Sequence, residues 1–167
     1  MSGYILSVMK TTLHTNKGDI TIEFSEYTPV TVKNFITLAK EGFYDGVKFH
    51  RVIEGFMIQG GDPLTRDDSQ AALWGTGGPG YAFKDELFDE TNNNFTGTIA
   101  MANSGPNTNG SQFFINTNDN LFLDTKHTVF GTVIDGMDIV RTIESVPVNG
   151  ADRPLEAVVI NSISVEE

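Results

Sequence analysis

"FHRVIEGFMIQGGD", residues 49–62, is the stretch on which the reading of this chain turns. It is mostly apolar, with Phe49, Val52, Ile53, Phe56, Met57 and Ile58, yet Arg51 sits in its first half and Gln59 near its end. An arginine set against apolar neighbours costs free energy unless something pairs with it. Alternate residues of a strand share a face, so Arg51, Met57 and Gln59 have the same parity. They line one face together if the break at Glu54-Gly55 preserves register. A guanidinium and an amide beside a thioether, in a mostly apolar hollow, have the general look of a binding pocket. The same pattern also fits a surface arginine lying over apolar neighbours. Spacing alone leaves both readings open.

Working outward, residues 97–117, "GTIAMANSGPNTNGSQFFINT", read as two strands flanking a Gly/Pro/Asn/Ser turn. On the second strand Gln112 and Phe114 share a face. Residues 11–16 and 20–24 are short alternating runs around a Lys-Gly turn and predict a hairpin. Residues 29–40, "PVTVKNFITLAK", place Val32, Phe35, Ile36 and Ala39 on one helical face, with Thr28 as cap, Pro29 in the first turn and Gly42 past the end. Residues 127–135 and 156–165 read as further strands, and 135–146 as a second helix with Asp135 near its cap. Residues 62–94 are rich in Gly, Pro, Asp and Asn and predict a long loop with at most one short strand. The order is not alternating βαβ, which argues against a doubly wound parallel sheet. It predicts a mainly β fold, a closed antiparallel barrel plugged by two α-helices, closure being one way to remove exposed edges.

The chain's 167 residues suit one domain, and 39% hydrophobic with 20% charged residues is ordinary for a soluble globular protein. The net charge of −11 repels phosphate backbones and anionic lipid, so nucleic acid and membrane are not expected partners. The absence of cysteine excludes disulfides, thiol catalysis and cysteine-ligated zinc. The N-terminus lacks the pattern of a signal peptide, and the chain is expected in the cytoplasm. "GTGGPG" (75–80) matches GxGxxG formally, but no helix opens at Gly80, so no dinucleotide is expected. His14, His50 and His127 are dispersed and suggest no metal. Ser104, Ser111, Asp124 and His127 lack a nucleophile elbow and carry no hydrolase signal. "NFT" (94–96) and "NGS" (109–111) match glycosylation sequons, which matter only in a secreted protein.

Taken together, "FHRVIEGFMIQGGD", "MANSGPNTNGSQFFINT" (101–117) and "LDTKHTVFGTVIDGMDIV" (123–140) resemble the signature stretches of the cyclophilin family of peptidyl-prolyl cis/trans isomerases. The likeness runs from about residue 11 to residue 165. It implies an eight-stranded antiparallel barrel capped by two helices, an isomerase domain over 11–167 and an N-terminal extension over 1–10. It implies that Arg51 is catalytic and faces the prolyl peptide bond. The substrate-binding wall carries over as Phe56, Met57, Gln59, Ala102, Asn103, Gln112, Phe114, Phe122, Leu123 and His127. Among these, Phe56, Met57, Phe114 and Leu123 form the apolar cup for the proline ring. Asn103 holds the substrate backbone through its main chain, and Gln59 helps to position Arg51. No cofactor or metal is implied. The expected partners are proline-containing peptides and unfolded or folding proteins, and the default state is a monomer.

Two departures from the family pattern carry expectations of their own. Phe122 stands where many members have a tryptophan whose indole N–H contributes to binding the cyclic peptide cyclosporin. Phenylalanine has no donor, so cyclosporin is expected to bind weakly with catalysis retained. Several bacterial members share that phenylalanine, which tilts the expected origin towards bacteria. The segment 66–78, "RDDSQAALWGTGG", is longer than the corresponding loop of common single-domain members. It either folds over a secondary pocket near Ser104 and Gln112 or is a tolerated surface insertion pinned by Trp74. The competing readings are a proline-segment binding module or holdase of the same fold with little catalysis, and a small-ligand barrel of lipocalin type. The latter needs an open interior, which Phe-rich strands would fill.

Overall fold

In the computed structural model, residues 9–88 and 90–166 are described. The strands are β1 (Lys10–Thr15), β2 (Gly18–Phe24), β3 (Arg51–Ile53), β4 (Met57–Gly60), β5 (Thr98–Met101), β6 (Phe113–Asn116), β7 (Val129–Asp135) and β8 (Ile160–Glu166). Helix α1 spans Pro29–Lys40 and α2 spans Met137–Glu144. The strands form one antiparallel sheet in the order β3-β4-β6-β5-β7-β2-β1-β8. The fold is mainly β and cyclophilin-like, but the expected closed ladder needs correcting. β3 and β8 are the two ends of a curled sheet, a half-barrel rather than a ring of paired strands. The seam is joined by irregular chain. Gly46 N–H donates to Ile160 O (2.7 Å), Ile160 N–H to Val47 O (2.8 Å) and Phe49 N–H to Val158 O (3.0 Å), around a single bridge between Lys48 and Val159. Those bonds satisfy edge groups that would otherwise be open to another chain.

The interior is aromatic. Phe35 of α1 lies between Phe24, Tyr44, Phe113 and Phe130, with ring centroids 5.1–5.8 Å apart. Leu13, Ile20, Ile22, Ile58, Ile99 and Ile115 are fully buried around them, and α2 adds Val140 and Ile143. Among the described residues these rings and aliphatic side chains fill the interior where a lipocalin-type barrel would hold a ligand. In α1 the buried residues are Thr31, Val32, Phe35, Leu38 and Ala39, while Ile36 is only half-buried. Thr28 occupies the cap position without making the capping bond. Glu86 does that work from the loop, accepting from Val30 N–H (3.3 Å), Thr31 N–H (2.6 Å) and Thr31 Oγ1 (2.7 Å). A carboxylate at a helix N-terminus satisfies free N–H groups and meets the positive end of the helix dipole. Helix α2 starts after Gly136 rather than at Asp135. Gly136 has φ +89°, and a Cβ there would lie 2.2 Å from Asp19 O, so the turn from β7 into α2 requires glycine.

The segment 62–94 contains two short 3-10 helices, Pro63–Arg66 and Asp68–Leu73, and one bridge between Phe83 and Asn109. The expected N-terminal extension over 1–10 meets the described chain only at its end. Residues 1–8 lie outside the described residues, and Lys10 already opens β1, paired with Glu23 and Glu166.

Candidate active site

The register answers what Arg51 faces. Arg51 pairs with Gln59, Gln59 with Phe114, Phe114 with Ala100, and Ala100 with Val129. This row crosses β3, β4, β6, β5 and β7 on the outer face of the sheet. Met57, Ala100, Phe114 and Val129 form a second buried apolar cluster, separate from the interior core, with Ile53, Phe56, Ala102 and Leu123 packed on it. The outer row is thus an apolar floor with Gln59 and an exposed Arg51 at one end. Because the side-chain period is two, the alternate row belongs to the interior. The Glu54-Gly55 turn keeps β3 and β4 in register, as the shared parity of Arg51, Met57 and Gln59 requires.

The remaining wall residues gather around this floor. His127 packs edge-on against Phe114, with centroids 5.3 Å apart. Its Nδ1 lies 2.9 Å from Met101 O. A carbonyl can only accept, so Nδ1 carries a proton in this contact. Asn103 donates from Nδ2 to Lys126 O (2.7 Å), and its Oδ1 accepts from Gly105 N–H (3.2 Å). Its main chain has no hydrogen-bond partner among the described residues. Phe122, 70% exposed, stacks on Phe56 at 6.0 Å and forms a rim. Gln59 Nε2 donates to Gln112 Oε1 (3.1 Å), and Arg51 Nη1 approaches Gln59 Oε1 at 3.4 Å. All the residues that the sequence singled out for the site are therefore brought together on one face.

A second cavity of about 300 Å³ adjoins Gln59 and Gln112 and is lined by Gly75–Tyr81, Ala102–Ser104 and Thr108. The 66–78 segment does fold towards it at its far end. Trp74 pins the segment from behind, with the Arg153 guanidinium 4.4 Å and the Lys48 ammonium 5.1 Å from its ring centroid.

Sequence reasoning missed the residues beneath the rim. Asn94, Asn116 and Asn120 are buried. Asn116 Nδ2 donates to Asn94 Oδ1 (3.0 Å) and Thr98 Oγ1 (2.9 Å), and Asn120 Nδ2 donates to Asn116 Oδ1 and Phe56 O (both 2.9 Å). Asp124 accepts from Asn94 N–H and Nδ2, which ties the segment bearing Phe122 and Leu123 to the sheet. Asn92 Nδ2 donates to His127 O (2.9 Å). The available signal was the run of asparagines in "TNNNFT" (91–96), an excess of amide groups in a loop. Asn94 and Asn109 are fully buried, so neither sequon is a surface acceptor.

The hydrolase combination does not assemble. Ser111 Oγ donates to Gly61 O and Asp124 is engaged by Asn94. His14 is on β1, near the opposite end of the strand order from Arg51, between Asp19 Oδ1 (3.0 Å) and Ser164 Oγ (2.9 Å). His50 is buried, and its Nδ1 has no hydrogen-bond partner among the described residues. Burial holds its pKa below the usual imidazole value, and Arg153 and Arg51 act in the same direction, against the opposing charge of Asp62.

Residues 10–165 match the family of cyclophilin type peptidyl-prolyl cis-trans isomerases. A Gallus gallus protein, peptidyl-prolyl cis-trans isomerase-like 3, is 46% identical over 159 residues, covering 94% of this chain and 96% of its own. A Staphylococcus aureus protein is 45% identical over 188 residues, covering 95% and 92%. The crystal structure of a Cryptosporidium parvum cyclophilin type peptidyl-prolyl cis-trans isomerase superposes with a TM-score of 0.87 at 34% identity, over 96% of this chain and 98% of that one. The same Cryptosporidium protein crystallised in the presence of the dipeptide Ala-Pro gives a TM-score of 0.85. An isomerase of prolyl peptide bonds is the class that fold and site define, and the chain belongs to the cyclophilin family. No helix among the described residues is long and apolar enough to cross a membrane.

Proposed function

We propose that this isomerase accelerates X–Pro rotation with Arg51 as its catalytic group. Phe56, Met57, Phe114 and Leu123 hold the proline ring, with Ala102, Phe122 and His127 as further walls. The observation that carries this reading is the outer row, in which Arg51 and Gln59 form the polar end of an otherwise apolar floor.

The chemistry needs no covalent step. Rotating a peptide bond loses amide resonance, a barrier of about 18–20 kcal/mol. At X–Pro bonds the uncatalysed event takes about tens to hundreds of seconds. Midway through rotation the prolyl nitrogen becomes pyramidal and regains its lone pair. A donor aimed at that nitrogen binds the twisted state more strongly than either planar state, and only such differential binding accelerates the step. Arginine suits the task because it is always charged and has no acceptor atom. With substrate over the floor, water is excluded and the donor's field is strengthened. The ring stays seated while the preceding carbonyl turns, and the open main chain of Asn103 is available to the substrate backbone.

Natural substrates on this reading are proline-containing segments of unfolded or folding proteins in the cytoplasm, met by a monomeric enzyme. Preference for the residue before proline is modest, because the cup recognises ring and backbone. Cyclosporin binds weakly for lack of an indole donor at Phe122.

Cis-to-trans turnover of a short X–Pro peptide by wild type and Arg51→Ala, both checked by circular dichroism, tests the assignment. A folded Arg51→Ala protein loses turnover by about 100-fold or more, since each ~1.4 kcal/mol of lost transition-state binding is a factor of ten. Near-normal turnover in that variant would remove Arg51 from the mechanism.

A further inference from the structure

Gln59 can guide Arg51 only if its amide oxygen, and not its NH2 group, faces the guanidinium. A reversed amide would set donor against donor. The structure contains a chain of groups that settles this orientation, and it begins at a residue outside the site. Asp62 is fully buried just beyond the end of β4. Its Oδ1 accepts from Leu64 N–H (2.8 Å), and its Oδ2 accepts from Gly75 N–H (2.6 Å) and Gly77 N–H (3.1 Å). With their N–H groups on the carboxylate, Gly75 and Gly77 both present carbonyl oxygens to Gln112 Nε2, each at 2.9 Å.

Two carbonyls cannot donate, so only the NH2 end of Gln112 suits them. Gln112 Oε1 is left to accept from Gln59 Nε2 at 3.1 Å, and Gln59 Oε1 is left for Arg51. Each link admits one polarity, set by the two carbonyls, and the Asp62 carboxylate holds the segment that carries those carbonyls in place. The approach is too close for any side chain at Gly77, where a Cβ would lie 2.1 Å from Asp62 Oδ1. The loop is also fixed from behind by Trp74. Arg153 Nη2 donates to Ala71 O (2.9 Å), and Trp74 Nε1 donates to Asp67 O (3.1 Å).

We propose that Asp62 is a positioning residue for isomerisation: through Gly75, Gly77 and Gln112 it fixes the Gln59 amide with its oxygen towards Arg51. This rests on the reading of Arg51 as the group that acts on the substrate. The 66–78 segment is then the anchor of the relay as well as a wall of the second cavity.

The test is a double-mutant cycle between Asp62→Asn and Gln59→Leu, read as kcat and KM on one X–Pro peptide, with Arg51→Ala as control. Asparagine supplies one acceptor where the carboxylate supplies two. In the wild-type background Asp62→Asn lowers kcat by about tenfold with KM within about twofold, because the lost interaction is one made in the transition state. In the Gln59→Leu background the link is already cut, and Asp62→Asn changes kcat by less than about twofold. Equal losses in both backgrounds, an effect on KM alone, or no effect of Asp62→Asn on kcat would overturn the proposal. If circular dichroism shows Asp62→Asn unfolded, Gly77→Ala enters the same cycle with the same criteria. The control separates the two readings. A fully active Arg51→Ala protein overturns the site assignment itself, whereas an inactive one combined with an additive cycle overturns only the role of Asp62.

Discussion

Two rows of residues run across the same strands and face opposite ways. Val52, Ile58, Ile115 and Ile99 form the inner row, and Arg51, Gln59, Phe114, Ala100 and Val129 the outer one. The inner row is aliphatic throughout and is closed over by the aromatic cluster around Phe35. The outer row is apolar for most of its length, is packed over by Ile53, Phe56, Ala102 and Leu123 rather than by the aromatic core, and ends in an amide and a guanidinium. The inner row is a matter of stability and the outer row, on the function proposed above, one of recognition, and a shift of one residue in register would exchange them.

The sharpest way to break this division is to truncate one member of each row. Ile115→Ala removes fully buried volume from the inner row and lowers unfolding free energy by about 2–5 kcal/mol, measured by urea titration. Turnover per folded molecule stays within about twofold of wild type. Arg51→Ala, expected to lose most turnover, leaves the urea midpoint almost unmoved, because an exposed side chain contributes within about 0.5 kcal/mol. If Ile115→Ala silenced a folded enzyme, or Arg51→Ala unfolded it, the separation of the rows would fail.

Asn116→Ala probes the support of the rim beside the outer row. Asn116 pairs with Met57 across β4 and β6, and its side chain holds Asn94, Thr98 and Asn120. Leaving those buried partners unsatisfied costs about 1–3 kcal/mol. Because Asn120 also holds Phe56 O, KM for an X–Pro peptide rises as well. A loss of stability with unchanged KM would confine the network to folding.

The smallest expected effect is on pH dependence. His50 is held neutral in the folded chain, chiefly by burial. Its folded pKa lies below the unfolded value of about 6.5, so the unfolded state binds the proton first as pH falls. The stability linked to His50 is fully present above that value and is lost progressively below it. Thermal unfolding from pH 7.5 to 5 records this decline, and His50→Gln flattens the part that His50 causes. An unchanged slope in the variant would assign the acid limb to other groups.

Much of this was legible in the chain itself. The shared parity of Arg51, Met57 and Gln59, the helical face of α1 and the hairpin at 97–117 follow from periodicity, because a strand repeats every two residues and a helix every 3.6. The set of wall residues required more, since Phe56, Asn103 and His127 are far apart along the chain and were placed together only by their likeness to a family. Glu86 as the cap of α1 was not legible at all. It lies 56 positions from Val30, and nothing local marks it as a partner. The asparagines of 91–96 read as ordinary loop composition for the same reason.

By itself, then, the sequence determined which residues alternate, where the helices lie, and the contradiction of an arginine inside an apolar strand. Those are properties of the local backbone period and of side-chain chemistry. Only the tertiary structure decided that the sheet stops short of a closed ring, that Phe56, Ala102 and Leu123 gather on the outer row, and that Asp62 reaches Gln112 through Gly75 and Gly77. These depend on hydrogen bonds between groups distant in sequence. Such bonds form only when the fold brings distant donors and acceptors together, and burial makes it costly to leave them unpaired.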